Sequence, residues 1–351
     1  MTRVRCVVMQ KNEATLLEPW ILWHAAIFGF SNLTVIDNGS TDPAVLDIQT
    51  RYEGKGVRIV RDHASPTDFL HKGDVIAGII RQWDAENACD FAVPLDCDEF
   101  LTVFLDQLSL DPEVIRRQFD YLVQENATFI TDRLLLNVPE APDYYLPQIV
   151  RRGLFRAHTI ISLDRGFHNP QSIYPERYVR TPFVHLHLHN RPDYEEIRRF
   201  ARQKLAASET GETLEHPQDG THLHFYFETG SEDFAAGYRP VPNIYAPVIA
   251  QRLRELEIDP DILLGTSDTI PHPPLNIPSG FVAHRAREDG QQHEYRVFDP
   301  VFYAQNNPDV AQDAYYGIWP LVHYLTCGWD EGRQSDPGNV PPLVLQMDKA
   351  T

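Results

Sequence analysis

Cysteine is scarce in this sequence, and its four cysteines, Cys6, Cys89, Cys97 and Cys327, show no paired spacing. This pattern excludes a disulfide framework as the basis of the fold, and we expect free thiols in a reducing compartment. Long apolar runs are also missing, since none reaches the ~18 residues that a membrane span requires. We therefore expect a soluble, cytoplasmic protein, for which peripheral association with a membrane stays open.

Positive charge is the second deficit. Lysine and arginine total 31 against 50 acidic residues, which gives a net charge of −19. Nucleic acids and anionic lipids repel such a protein unless it carries a basic patch, and the short basic clusters at 151–152 and 198–202 are explained by solvated faces. Nucleic acid is therefore not an expected partner. The hydrophobic share of 42% is enough for a sizeable packed core in the 351-residue chain.

Strands and helices alternate along the first hundred residues. Strands are predicted at 4–9, 33–36, 57–60 and 91–95, and helices at 20–28, 43–52 and 71–87. This order is typical of an α/β fold with a mostly parallel central sheet between helices. Ligands of such sheets bind beyond the carboxyl ends of the strands. Polar clusters follow each strand there, at 11–13, 37–42, 62–63 and 96–99, so we expect one binding site at this edge.

The last of these clusters has the clearest chemistry. The apolar run from Phe91 ends in Asp96, Asp98 and Glu99. Alternate residues of an extended chain point the same way, so Asp96 and Asp98 are expected to face one point in space. Two carboxylates at one point repel each other unless a cation lies between them. The pattern therefore predicts a site for Mg²⁺ or Mn²⁺, which bind oxygen ligands and substrate phosphates.

Together these motifs resemble a GT-A glycosyltransferase of the family-2-like group, which is related to family 92 and to domains of unknown function. The matching pieces are Lys11-Asn12-Glu13, the helix with Trp20 and His24, Gly29-Phe30, the segment 37–42 and the segment 94–101. The resemblance covers residues 3–103 well and 104–205 loosely. It implies a Rossmann-like, mostly parallel sheet and the transfer of a hexose from a nucleotide-diphosphate sugar, here a UDP-sugar, to a glycan or glycoconjugate acceptor with inversion.

The resemblance also assigns roles to residues. The predicted donor-binding residues are Asn12, Glu13, Asp37, Asn38, Asp42, Lys72 and Asp96. Asp96 and Asp98 would hold Mn²⁺ or Mg²⁺ on the diphosphate, where a cation stabilises the charge of the leaving group. A later histidine often completes such a site. His168 is the first candidate, with His185 and His187 as alternatives.

The acceptor side has weaker signals. Inverting transfer needs a carboxylate that deprotonates the acceptor hydroxyl, and the candidates beyond the metal strand are Asp132, Glu140 and Asp143. The aromatic residues Tyr144, Tyr145, Tyr174 and Tyr178 are candidates for stacking on an acceptor sugar. The segment 139–147, which is rich in proline and tyrosine, is predicted to be a loop.

Three regions are predicted along the chain. Residues 1–235 form the GT-A domain, 236–297 form a proline-rich connecting arm, and 298–340 form a small, mainly helical module. The module resembles an accessory repeat of bacterial glycosyltransferases through Phe298-Asp299-Pro300, 307–310, 323–325 and 328–333.

Three other functions stay open. The alternating His185, His187 and His189 form one face that suits a zinc site of an unrelated hydrolase, although no carboxylate lies nearby on the same strand. A sugar nucleotidyltransferase would use a glycine-rich loop after the first strand, and residues 10–13 contain no glycine. A non-catalytic carbohydrate-binding or scaffold protein would depend on the C-terminal aromatic unit.

Overall fold

The computed structural model describes residues 2–208, 221–239, 241–266, 270–274, 280–287 and 291–347. The strands of these residues are β1 (Val4–Gln10), β2 (Leu33–Asp37), β3 (Arg58–Val60), β4 (Phe91–Pro94), β5 (Glu99–Phe104), β6 (Leu108–Ser109), β7 (Thr128–Val138), β8 (Ala141–Arg156), β9 (Ile160–Ser162), β10 (Gln171–Ser172), β11 (Tyr178–Arg180), β12 (Phe183–His187), β13 (Asn243–Tyr245), β14 (Phe281–Arg287), β15 (Gln292–Phe298) and β16 (Leu343–Gln346). The α-helices are α1 (Leu17–Phe28), α2 (Pro43–Glu53), α3 (Pro66–Leu70), α4 (Lys72–Ala85), α5 (Pro112–Leu122), α6 (Tyr194–Ser208), α7 (Thr221–Glu228), α8 (Ser231–Tyr238), α9 (Val248–Glu255), α10 (Pro260–Leu264), α11 (Pro300–Asn306), α12 (Pro308–Gln312) and α13 (Pro320–His323).

The first hundred residues build the parallel part of the sheet. β3, β2, β1 and β4 lie side by side in that order, and all three pairs are parallel. Alternate residues of β1 pack on opposite faces, where Val8 joins a cluster with Trp20 of α1 and Val7 joins a second cluster with Trp83 of α4. Burial of both faces explains why these strands read as continuous apolar runs. The predicted α/β class is confirmed.

Beyond β4 most strand pairs of the sheet are antiparallel. β4 pairs with the end of β8, and β8 pairs with β7 and β13. β12 lies between β5 and β7, antiparallel to β5 and parallel to β7. This arrangement matters for function because it carries the end of β12 to the start of β5, where the acidic cluster lies.

The prediction of a loop at 139–147 is wrong. Only a tight turn around Glu140, whose φ is 57°, separates β7 from β8, and β8 begins at Ala141. Its pairing with β7 includes Pro147 opposite Leu135, so tertiary pairing overrides the local breaker signal. Tyr144 and Tyr145 are fully buried. Neither ring is therefore available to stack on a sugar.

The segment 236–297 contributes secondary structure to the same sheet. β13 joins β8 to β14, and β14 pairs with β15. Helices α9 and α10 supply Ile249, Leu253 and Leu263 to the main apolar cluster. The division of the chain at 235 and 297 stays a prediction, but the described part of this segment is packed against the sheet.

The aromatic residues of the C-terminal unit form its interior. Tyr303, Tyr324 and Trp329 are buried. Tyr303 and Tyr324 pack on Phe298 at the end of β15, and Trp329 stacks on Tyr324. They belong to the same apolar cluster as the sheet, so this unit is anchored on the larger fold. None of the helices in the described ranges is long and apolar enough to cross a membrane.

His24 links α1 to the strand that follows the acidic cluster. The side chain is fully buried, its Nδ1 lies 2.8 Å from the Trp20 carbonyl oxygen, and its Nε2 accepts a hydrogen bond of 3.2 Å from the Leu101 amide. In a neutral imidazole Nδ1–H donates to the carbonyl oxygen and Nε2 accepts from the amide, so both ring nitrogens are hydrogen-bonded. Burial lowers the pKa of His24 from 6.5 to about 3.

We predict that His24 makes the fold less stable in acid. The unfolded chain binds a proton here near pH 6.5 and the folded protein only near pH 3, so stability is full above pH 6.5 and falls as the pH is lowered. His24→Gln should reduce the slope of unfolding free energy against pH by up to about 1.4 kcal/mol per pH unit between these values. Urea titrations at several pH values measure the slope. The exposed His158→Gln is the control, and equal slopes for wild type and His24→Gln would contradict the prediction.

Candidate functional site

A cavity of about 350 Å³ lies beyond the carboxyl ends of β1 and β4. The charged and histidine side chains of its wall are Lys11, Glu13, Lys72, Asp96, Asp98, Arg152, Arg165, His168, His187, His189 and Lys204. The clusters that follow β1 and β4 in the sequence therefore meet in one place. The cavity combines carboxylates, imidazoles and cationic groups, a set suited to a metal ion with an anionic ligand.

The acidic cluster adopts a turn and is not extended. The Glu99 amide donates a 3.1 Å hydrogen bond to the Asp96 carbonyl oxygen, and β5 begins at Glu99. The alternation used to place Asp96 and Asp98 at one point therefore does not apply. Each of the three carboxylates instead lies beside a different lysine, arginine or histidine side chain.

Asp98 lies beside two histidines. The His187 Nε2 and His189 Nδ1 are each 3.4 Å from its Oδ2, and the three ligand atoms lie within 4.8 Å of one another. β12 brings them there because His187 is opposite Glu99 in the antiparallel pair and the Leu188 amide donates to the Asp98 carbonyl oxygen at 2.8 Å. In the described part of the chain this is the group that fits a metal ion.

Burial and the two imidazoles act on Asp98 in opposite directions. Burial alone raises the pKa of this carboxyl, but His187 and His189 hold it well below its usual value. Burial also lowers the pKa of His189 to about 4. The cluster thus favours a carboxylate and a neutral His189, which are the protonation states that metal binding requires.

Glu99 is fully buried behind this group. Arg152 Nε donates a 2.7 Å hydrogen bond to its Oε1, and His185 Nδ1 lies 3.3 Å from its Oε2. Burial raises the pKa of Glu99, and Arg152 with His185 more than reverses this effect, so that the pKa lies below the usual value. The acid is therefore a paired, structural charge.

Asp96 is paired with the lysine that begins α4. Lys72 Nζ lies 2.5 Å from Asp96 Oδ1 and 4.4 Å from the centre of the Phe167 ring. Both side chains also line the cavity. The prediction that Lys72 and Asp96 bind the donor stays a prediction, and the structure places them where such contact is feasible.

The predicted third metal ligands have different positions. His168 lines the cavity, but its Nδ1 is 2.8 Å from Arg152 Nη1. His185 is directed to Glu99 and is buried. Only His187 of the three lies beside Asp98, and it is joined by His189, which was predicted only as part of the alternative zinc-binding face. The alternation of the histidines in the sequence indicated that His187 and His189 share one face, but the carboxylate comes from the turn before β5.

Most of the other predicted donor-binding residues have local structural roles. Asn12, at a φ of 56°, accepts hydrogen bonds from the Thr41 and Asp42 amides at 2.8 and 2.9 Å. The buried Asn38 donates to two carbonyl oxygens, of His63 and Ser65.

Two acids among the predicted donor-binding residues also form hydrogen bonds within the protein. Asp42 caps α2, and the buried Asp37 accepts from Gln10 Nε2 at 3.0 Å. Glu13 lines the cavity, and its Oε2 lies 3.4 Å from Arg191 Nη2. Burial raises the pKa of Glu13 to about 7. Of these five residues, Glu13 alone belongs to the cavity wall.

The three candidates for the catalytic base lie outside the cavity. Asp132 is buried between Arg151 and Arg180, at 3.2 and 3.0 Å. Glu140 lies in the exposed β7–β8 turn, and Asp143 is 3.3 Å from His272. None of these three acids is among the residues of the cavity wall, although Arg152 at the far end of β8 is.

Several solved structures are similar to this chain at low identity. Residues 1–349 of S. aureus TarS in complex with UDP match with 11% identity over 68% of this chain and 74% of that chain, with a TM-score of 0.34. A longer S. aureus TarS chain matches with 11% identity over 84% and 64%, with a TM-score of 0.33.

A third structure is glucosyl-3-phosphoglycerate synthase from Mycobacterium tuberculosis with Mn²⁺, UDP and phosphoglyceric acid. It matches with 20% identity over 38% of this chain and 43% of that chain, with a TM-score of 0.23. No protein-family model matches the sequence, and no curated protein matches it. Similarities of this size transfer no activity, so the function is inferred from the residues of the cavity.

We predict that the buried pair behind the site is essential for stability. Arg152→Met leaves the buried Glu99 with the His185 imidazole and the Asp96 amide, each at 3.3 Å, and should lower the unfolding free energy by about 3–5 kcal/mol. The neighbouring Arg151→Met is the matched control, because Asp132 keeps Arg180, and should cost less than about 1 kcal/mol. Urea denaturation compares the two variants. Equal losses would show that the Glu99 pair has no special role.

Proposed function

We propose that this protein is a metal-dependent glycosyltransferase of GT-A type, which transfers a hexose from a UDP-sugar to a glycan or glycoconjugate. The observation that carries the proposal is the group of Asp98, His187 and His189 at the carboxyl ends of the parallel strands, in a cavity with cationic walls. The sequence resemblance adds the donor class, the acceptor class and inversion of configuration.

The donor atoms fit a transition metal ion. They are one carboxylate oxygen and two imidazole nitrogens on one side of the cavity, so the remaining coordination positions are left to substrate oxygens. Mg²⁺ prefers oxygen ligands alone, and Mn²⁺ is therefore the better choice of the two predicted ions. When bound, the ion would stabilise the negative charge of the departing nucleoside diphosphate.

The cations of the wall suit a diphosphate. Lys11, Arg165 and Lys204 line the same cavity as Asp98, beside Lys72 and Arg152, which are paired with acids of the turn. Fixed charges in a partly closed cavity strengthen the binding of an anion. A protein with a net charge of −19 needs such local positive charge, together with the metal ion, to bind an anionic donor.

A metal-dependent hydrolase is the second candidate. The strand of the three histidines carries no nearby carboxylate, which disfavoured a zinc hydrolase. In the structure Asp98 supplies a carboxylate from the turn before β5. A zinc hydrolase needs no nucleotide, whereas the proposed transferase binds UDP together with the ion. Binding of UDP therefore separates the two functions.

We predict metal-dependent binding of UDP. Wild type with Mn²⁺ and UDP at about 100 times its dissociation constant should gain about 2.7 kcal/mol of stability, measured as a thermal shift. EDTA or the substitution Asp98→Asn should remove the shift, because the bridging ion is lost. Asp74→Asn at the exposed start of α4 is the control.

Activity is measured as release of UDP from UDP-sugars, with and without glycan acceptors. Wild type should release UDP in the presence of Mn²⁺, and Asp98→Asn should not. Binding of UDP that is unaffected by EDTA and by Asp98→Asn would refute the proposed function. A shift with Zn²⁺ but none with any nucleotide would favour the hydrolase.

A further inference from the structure

We infer that Tyr226 of α7 is a positioning residue of the metal site, which acts through His189. The inference rests on the proposed metal dependence and goes beyond it, because Tyr226 touches neither the proposed ion nor the proposed donor. Its role would be to select which nitrogen of His189 binds the ion and to fix the plane of the ring.

The two nitrogens of His189 have different neighbours. Nδ1 lies 3.4 Å from Asp98 Oδ2, on the side where the three ligand atoms converge. Nε2 lies 2.9 Å from the Tyr226 hydroxyl. The imidazole is therefore held between the proposed metal position and one phenol.

This arrangement determines the tautomer that can bind metal. The ligand nitrogen must be free of a proton, so the proton of a neutral His189 belongs on Nε2. Nε2–H then donates to the Tyr226 oxygen, in the way that outer hydrogen-bond partners orient metal-binding histidines. Without the hydroxyl, the ring is free to rotate or to place its proton on Nδ1.

Tyr226 is itself held in place by the helices around it. Arg198 Nε and the Tyr194 hydroxyl of α6 both donate to the Tyr226 carbonyl oxygen, at 2.8 and 3.2 Å. The ring packs edge-on against Phe234 of α8, with ring centres 5.9 Å apart. The phenol thus connects the metal-binding group to the three helices α6, α7 and α8.

The test is the affinity for Mn²⁺ without nucleotide, measured by calorimetry and by the electron paramagnetic resonance signal of free Mn²⁺. Tyr226→Phe keeps the ring and removes the hydroxyl, and should weaken Mn²⁺ binding about 10–100-fold. Release of UDP by this variant should recover at high Mn²⁺ concentration, since only the affinity for the ion is changed.

The matched control is Tyr194→Phe. This variant also loses a hydroxyl and a hydrogen bond to the Tyr226 backbone, but it leaves the contact with His189 intact. Unchanged Mn²⁺ affinity in Tyr194→Phe beside a loss in Tyr226→Phe supports the inference. Equal losses in both variants would assign the effect to helix packing and overturn it, as would wild-type affinity in Tyr226→Phe. A wild-type protein that binds no Mn²⁺ would instead refute the proposed function itself.

Discussion

The site depends on the compensation of negative charge at one end of the sheet. Asp96, Asp98 and Glu99 lie within four residues, and each has a separate partner. Lys72 is 2.5 Å from Asp96, two imidazoles are 3.4 Å from Asp98, and Arg152 is 2.7 Å from Glu99. Carboxylates so close together repel one another in a partly buried setting. The fold is therefore constrained to bring a cationic or imidazole group to every acid of the turn.

This constraint explains why the site is assembled from distant parts of the chain. Lys72 comes from the start of α4, Arg152 from β8, and His187 from the end of β12. The antiparallel extension that follows the parallel strands is what positions Arg152 and His187. Asp96 and Glu99 are each paired with a cationic side chain of the protein. Asp98 instead lies beside two imidazoles, which can bind a metal ion in their neutral form. It is thus the acid of the turn that is best prepared for a metal ion.

The sequence alone was sufficient for the parallel half of the sheet, and two of the four polar clusters predicted at its edge line the cavity. Apolar runs such as Val4–Gln10 and their polar ends identify strands and one common edge. Asp98 and His187 were among the predicted ligands, but their combination with His189 could not be predicted. His189 meets Asp98 only through the pairing of β12 with β5, which joins residues about ninety positions apart. The base candidates Asp132 and Asp143 stay predictions, and the structure pairs them with arginines and with His272 outside the cavity wall. Pro147 lies in a paired strand, opposite Leu135 of β7, which is buried along almost its whole length.

The central claim is that one metal ion binds to Asp98, His187 and His189. The most direct measurement is anomalous X-ray diffraction from crystals of the protein with Mn²⁺, recorded on both sides of the manganese absorption edge. We predict a peak coordinated by one oxygen of Asp98, Nε2 of His187 and Nδ1 of His189. A peak on Asp96 away from both histidines, or no peak at saturating Mn²⁺, would contradict the account.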